Sequence, residues 1–113
     1  MSEIEDLKKI VRDFAQSRNW EKFHTPKNLA MAVAGEAGEL AAEFQWLTPE
    51  ESSGLTKDQL KAVELEMADV AIYLIRLCQK LDVDLLEIIV QLVNTPRGKP
   101  EYRHLEASHG HLV

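Results

Sequence analysis

The sequence has a single cysteine, Cys78, so an intrachain disulfide is excluded. A single cysteine suits a reducing compartment. Glycine and proline are scarce, at five and four residues, and strand-like alternation is absent, which argues against a sheet. No apolar stretch approaches the ~20 residues needed to span a bilayer. An apolar signal core is missing near the start, where Glu3, Glu5 and Asp6 stand instead. A cytoplasmic protein is therefore expected. Basic charge is also in deficit. The net charge of −6 sets aside nucleic acid and anionic membranes as partners, because both require a basic face. A phosphorylated small molecule stays open, since a metal ion can reverse the local charge.

What is present is helical. The 113 residues fit one domain, and the 45% hydrophobic content allows a modest core. Ser2 and Glu5 form a capping box before the stripe Ile4, Leu7, Val11 and Phe14, and this first helix is expected to end near Ser17 to Asn19. Thr25 is a good N-cap and Pro26 fits the first helical position, so a second helix is predicted from Pro26 to about Leu47. Thr48 to Glu51 can start a short turn or helix that Gly54 breaks. Thr56 with Gln59 opens a third long helix, Lys57 to about Leu81, and Asp84 with Glu87 opens a fourth, to about Asn94. Pro96, Gly98 and Pro100 then end helical structure. The domain is expected to cover residues 1–97, with 98–113, including His104, His109 and His111, as a tail or arm.

The second helix carries the strongest chemical signal. Between Leu29 and Trp46 the only charged residues are Glu36, Glu39 and Glu43. At about 100° per residue they fall in a wedge of about 60°. A helix apolar nearly all round is normally buried. Buried carboxylates are costly unless paired or bound to metal, and three together repel one another. A divalent cation resolves both problems; a solvated face of a helix packed on its other sides is the alternative. Gly35 and Gly38 read either as close helix contacts or as room beside a metal. So apolar a helix is also expected to bury itself further by association into a homo-oligomer.

A second acidic pair, Glu66 and Asp69, lies at i, i+3 on the third long helix, with Tyr73 on the same arc. The opposite arc, Leu60, Val63, Met67, Val70, Leu74 and Cys78, is the expected core stripe. Alone, this pair reads as a solvated face. If the two helices pack antiparallel, however, the pairs can face each other as a hard, all-oxygen site suited to Mg²⁺, with Mn²⁺ as the substitute. Neither acidic pair supplies the histidine of a Glu-x-x-His di-iron element, and no His-Glu-x-x-His, Cys-x-x-Cys or glycine-rich phosphate loop is present.

These motifs resemble the MazG-like all-α nucleoside triphosphate pyrophosphohydrolases, whose signature is Glu-x-x-Glu, a spacer, then Glu-x-x-Asp. Here the signature is Glu36-Ala37-Gly38-Glu39, then Glu66-Met67-Ala68-Asp69. The segment from Trp20 through His24 and Asn28 to Leu29, the run Phe44-Gln45-Trp46, and Tyr73-Leu74 are most similar to the dCTP pyrophosphatase branch. The resemblance covers roughly residues 15 to 97. It implies an all-α, four-helix MazG-like bundle that associates into an intertwined homo-oligomer, a dimer or a dimer of dimers. It implies Mg²⁺-dependent hydrolysis of a (deoxy)nucleoside triphosphate, dCTP-like, to monophosphate and pyrophosphate. Glu36, Glu39, Glu66 and Asp69 would hold metal, and Glu39 would handle the attacking water. Trp20, Phe23, Trp46 and Tyr73 would offer stacking surfaces, and His24 and Asn28 hydrogen bonds. Lys27, Arg76, Lys80 and Arg97 would be phosphate contacts. Relatives often carry Lys-x-x-Asn-x-x-Lys near the end, where this chain has Gln91, Asn94 and Arg97. The competing reading is a non-catalytic helical oligomerisation or regulatory module that keeps the fold.

Overall fold

The computed structural model describes residues 2–95. Those residues are all-α, with no strand among them: α1 (Glu3–Ser17), α2 (Pro26–Ala42), α3 (Pro49–Ser52), α4 (Lys57–Leu81) and α5 (Leu85–Asn94), with a single 3₁₀ turn at Glu21–Phe23. The helix starts follow local chemistry. Ser2, Thr25, Thr48, Thr56 and Asp84 each accept a hydrogen bond from the backbone N–H three residues on. At Thr48 and Thr56 the bond is reciprocated, through Glu51 and Gln59, in full capping boxes. The long helices fall where the sequence places them, except at the end of α2.

That helix stops at Ala42 rather than Leu47. Beyond it the backbone tightens into three-residue turns, with Phe44 N–H donating to Ala41 C=O and Leu47 N–H to Phe44 C=O. Thr48 caps α3 in an extended conformation, and Pro49 disfavours a helical residue before it. The competing cap shortens α2 and leaves Trp46 on the turn.

The chain divides into two compact units at Val83–Asp84. In the first, α2 and α4 pack against each other and α1 packs on α4. The core holds Val11 and Ala15 of α1, Leu29 of α2, and Val63, Ile75 and Cys78 of α4. His24, just before α2, meets Tyr73 and Arg76 in the C-terminal half of α4, while Glu36 further along α2 meets Glu66 nearer the start of α4, so the two helices run antiparallel. The expected stripe on α4 is correct at Val63 and Cys78, but Leu60 and Met67 are exposed. A helical wheel does not show which side a neighbour covers. On α2, Leu29 is the one residue classed as buried, although the helix is apolar nearly all round.

The second unit contributes α5, whose Leu86, Ile88, Ile89, Val90, Leu92 and Val93 are all exposed. No helix among the described residues is long and apolar enough to cross a membrane. Arg97 and the expected tail at 98–113 lie outside the described residues.

Candidate active site

Two antiparallel helices bring three of the four predicted acids together. Carboxylate oxygens of Glu36, Glu39 and Glu66 lie within 4.8 Å of one another, with Glu36 and Glu66 half-buried and Glu39 exposed. Their helical spacing explains this. Glu36 and Glu39 share one face of α2, and Glu66 faces them from α4. Asp69 is not in the tight trio, but its charge acts on both Glu36 and Glu66.

The electrostatics are those of crowded carboxylates. Burial first, then the charges of Glu39 and Asp69, push the Glu36 carboxyl above its usual range, with Glu66 alongside as a partial offset. Burial, then Glu39, Glu36, Asp69 and Glu43, raise Glu66 likewise. Two carboxylates hydrogen-bond only when one is protonated. As an ionised pair, each keeps an inner oxygen, Oε2 of Glu36 and of Glu66, enclosed and without a partner. Enclosed polar atoms without partners are rare and point to an absent ligand or ion. A hard, all-oxygen donor set of this kind fits Mg²⁺ or Mn²⁺. Gly35 and Gly38, beside the acids, would each meet nothing within 4 Å of an added Cβ, so neither is a tight helix contact among the described residues.

Beside this centre an aromatic column runs from α1 to α4. Trp20 meets Phe14 edge-on at 5.2 Å and His24 at 5.3 Å, and His24 meets Tyr73 at 6.2 Å. Tyr73 lies one turn beyond Asp69 on α4. The sequence reading counted Phe14 only as part of the α1 core stripe; its packing on Trp20 gives it a place in the column.

The remaining predicted residues are scattered. Trp46 is 86% exposed on the turn after α2. Phe23 is exposed beneath the Lys22 ammonium. Asn28 spends its side-chain amide on the Phe23 carbonyl, 2.9 Å away, and so braces the turn before α2. Lys27 is exposed in the first turn of α2, and Asn94 is the last residue of α5, in the other unit. Arg76 and Lys80, candidate phosphate contacts, are engaged with Glu21 instead. Lys80, then Arg76, hold the Glu21 carboxyl below its usual range. Sequence reasoning missed Glu21. The one available signal was two cations at i, i+4 on α4, which need an acceptor.

Fold and centre together define an all-helical protein that gathers acids from two helices into a cluster that could hold a metal ion. No family profile matches the chain. The chain is 36% identical to a pyrophosphatase from Archaeoglobus fulgidus known from its crystal structure, with a TM-score of 0.80 over 88% of this chain and 94% of that one. It is 38% identical over 98 residues to mouse dCTP pyrophosphatase 1 and 43% identical over 84 residues to the human protein. It spans 58% of the mouse protein's length and 49% of the human one's, while 85% and 73% of its own length is matched. The chain belongs to the MazG-like all-α nucleoside triphosphate pyrophosphohydrolases and is similar there to the dCTP pyrophosphatases.

Proposed function

We propose that this protein hydrolyses a (deoxy)nucleoside triphosphate, dCTP-like, to the nucleoside monophosphate and pyrophosphate. The observation that carries the reading is the pair of enclosed, partnerless oxygens on Glu36 and Glu66, facing each other from antiparallel helices. A triphosphate would be repelled by bare acids. Glu36, Glu39, Glu66 and Asp69 are the residues that would hold Mg²⁺, or Mn²⁺ in its place. Bound there, the ion would neutralise phosphoryl oxygens and lower the pKa of a water. Glu39, the exposed member of the trio, would orient the attacking water and take its proton. Trp20 and Tyr73 would offer stacking surfaces, worth about 1–3 kcal/mol whatever the base, and His24 a hydrogen bond. Selectivity must then come from polar groups. Trp46, Phe23, Lys27, Asn28, Asn94 and Arg97 remain proposed substrate contacts. The single cysteine suits the cytoplasm.

Incubation with each dNTP and Mg²⁺ should yield monophosphate and pyrophosphate; diphosphate and phosphate would mean another reaction. Glu39→Gln should lower turnover by about 100-fold or more while the helical circular dichroism stays unchanged. Persisting activity would remove Glu39 from its role.

The proposed assembly is a homo-oligomer, a dimer or a dimer of dimers. The exposed apolar side chains of α5, with Met31 on α2 and Leu65 and Met67 on α4, are more than a lone soluble chain normally presents. Light scattering at micromolar concentration should return a multiple of the chain mass. The mass of one chain would overturn this.

A further inference from the structure

Among the described residues the buried polar side chains are His24, 8% exposed, and Arg76, 2% exposed. Neither belongs to the acidic centre, and they are bonded to each other. Arg76 Nη2 donates to Glu21 Oε1 at 2.7 Å and Nη1 to Gln79 Oε1 at 2.7 Å, and Nε donates to His24 Nδ1 at 3.3 Å. Gln79 in turn donates to the Lys8 carbonyl of α1, so the guanidinium is fixed from several sides.

A guanidinium has only donors and does not deprotonate in proteins. His24 Nδ1 must therefore present its lone pair. A neutral imidazole carries one N–H, and here that places it on Nε2. Protonating Nδ1 would set two N–H groups head to head beside a buried cation. The charged and titratable groups around the ring are Arg76, Lys80 and Tyr73 from α4 and Glu21 from the 3₁₀ turn. Burial, then the charge of Arg76, then that of Lys80, hold His24 below the ordinary histidine range against the opposing pull of Glu21. Nε2 has no hydrogen-bond partner among the described residues. The ring lies between Trp20 and Tyr73, one helical turn along α4 from the acids.

We propose that Arg76 is a positioning residue that locks His24 in its Nε2–H form, so that His24 offers the nucleotide's base a donor and never an acceptor. The matching substrate is a base whose facing edge carries a lone pair, such as the O2 or N3 edge of a cytosine. A base presenting N–H there would leave two donors unpaired, the kind of mismatch that a polar site rejects strongly. The inference rests on the pyrophosphohydrolase reading for its substrate but not for its tautomer.

The test is a long-range ¹H–¹⁵N spectrum of the uniformly labelled full chain, with the His24 signals identified by their loss in His24→Gln. At pH 7 His24 should be neutral and carry its proton on Nε2. Adding deoxycytidine monophosphate should move that proton's resonance downfield. An Nδ1–H form, an imidazolium at pH 7, or no shift of the Nε2 proton while other resonances saturate would each overturn the proposal. Arg76→Met should give mixed tautomers and raise KM for dCTP about tenfold, with kcat changed less than about twofold. Arg76→Gln, whose amide can donate to Nδ1, should recover most of that loss. Mixed tautomers with an unchanged KM would also overturn it. If Arg76→Met does not fold, the monophosphate titration of the wild type decides. A chain that turns over no triphosphate refutes the proposed function, whereas the tautomer and the monophosphate shift are read without turnover.

Discussion

Glu36→Gln should lower triphosphate turnover by about 100-fold or more and, in the same protein stripped of metal, raise the melting temperature by a few degrees. Both halves follow from one feature. In the metal-free chain Glu36 Oε2 is enclosed without a partner, opposite an equally partnerless Glu66 Oε2. Burial and the charges of Glu39 and Asp69 already disfavour its ionised form. Glutamine keeps the shape, removes the charge, and brings an N–H₂ group able to donate to Glu66. A repulsion becomes a hydrogen bond, and the fold tightens. The amide is a poorer ligand for a hard cation, and the triphosphate loses the charge that would bridge it to the acids. Residues held in place for function at the expense of the fold show this trade. Thermal circular dichroism in EDTA, beside steady-state rates in Mg²⁺, reads both. A lower melting temperature for the variant would mean that the Glu36 charge is not strained in the fold, and the cation-site argument would lose its main physical support.

The acidic centre was legible in the sequence because its information is local. Glu36 and Glu39, and Glu66 and Asp69, sit at i, i+3, and α2 carries almost no other charge, so each pair announces a face. Only the facing of the two pairs needed the structure. Helix starts were legible for the same reason: each cap is a bond across three residues. The end of α2 was not, because Thr48 and Pro49 claim the chain for α3 and override the apolar run through Trp46 and Leu47. Least legible was the His24–Arg76–Glu21–Lys80 network. Its partners lie 52, 55 and 59 residues apart, and nothing in a helical pattern links them. That is why Arg76 and Lys80 read as free cations for phosphate when they are tied to the turn before α2. The Asn28 amide also braces that same turn, a bond across five residues that the helical pattern does not announce.

Removing the metal should abolish turnover, and returning Mg²⁺ at pH 7.5 should raise the melting temperature by an amount that vanishes near pH 4.5. The sign follows from the two central acids. Glu36 and Glu66 both titrate above their ordinary value of 4.5 in the fold. The folded chain therefore binds more protons than the unfolded one between that value and the raised one. Without metal, their contribution to stability is fully present below 4.5 and is lost as pH rises through the raised values. With metal the order reverses, because ligation needs the ionised form and protons compete with the ion. At neutral pH an ion at a hundredfold excess over its Kd should lift the melting temperature on the order of 10 °C. Two other groups also move with pH. Glu21, lowered by Lys80 and Arg76, withdraws its support only below its ordinary 4.5, and His24, lowered by burial, opposes folding as pH falls beneath 6.5. Neither belongs to the metal site, so both act equally with and without the ion and drop out of the difference. The increment caused by Mg²⁺, plotted against pH, thus isolates Glu36 and Glu66. An increment of equal size at pH 4.5 and 7.5, or one that survives in a Glu36→Gln/Glu66→Gln double variant, would place the ion elsewhere on the chain.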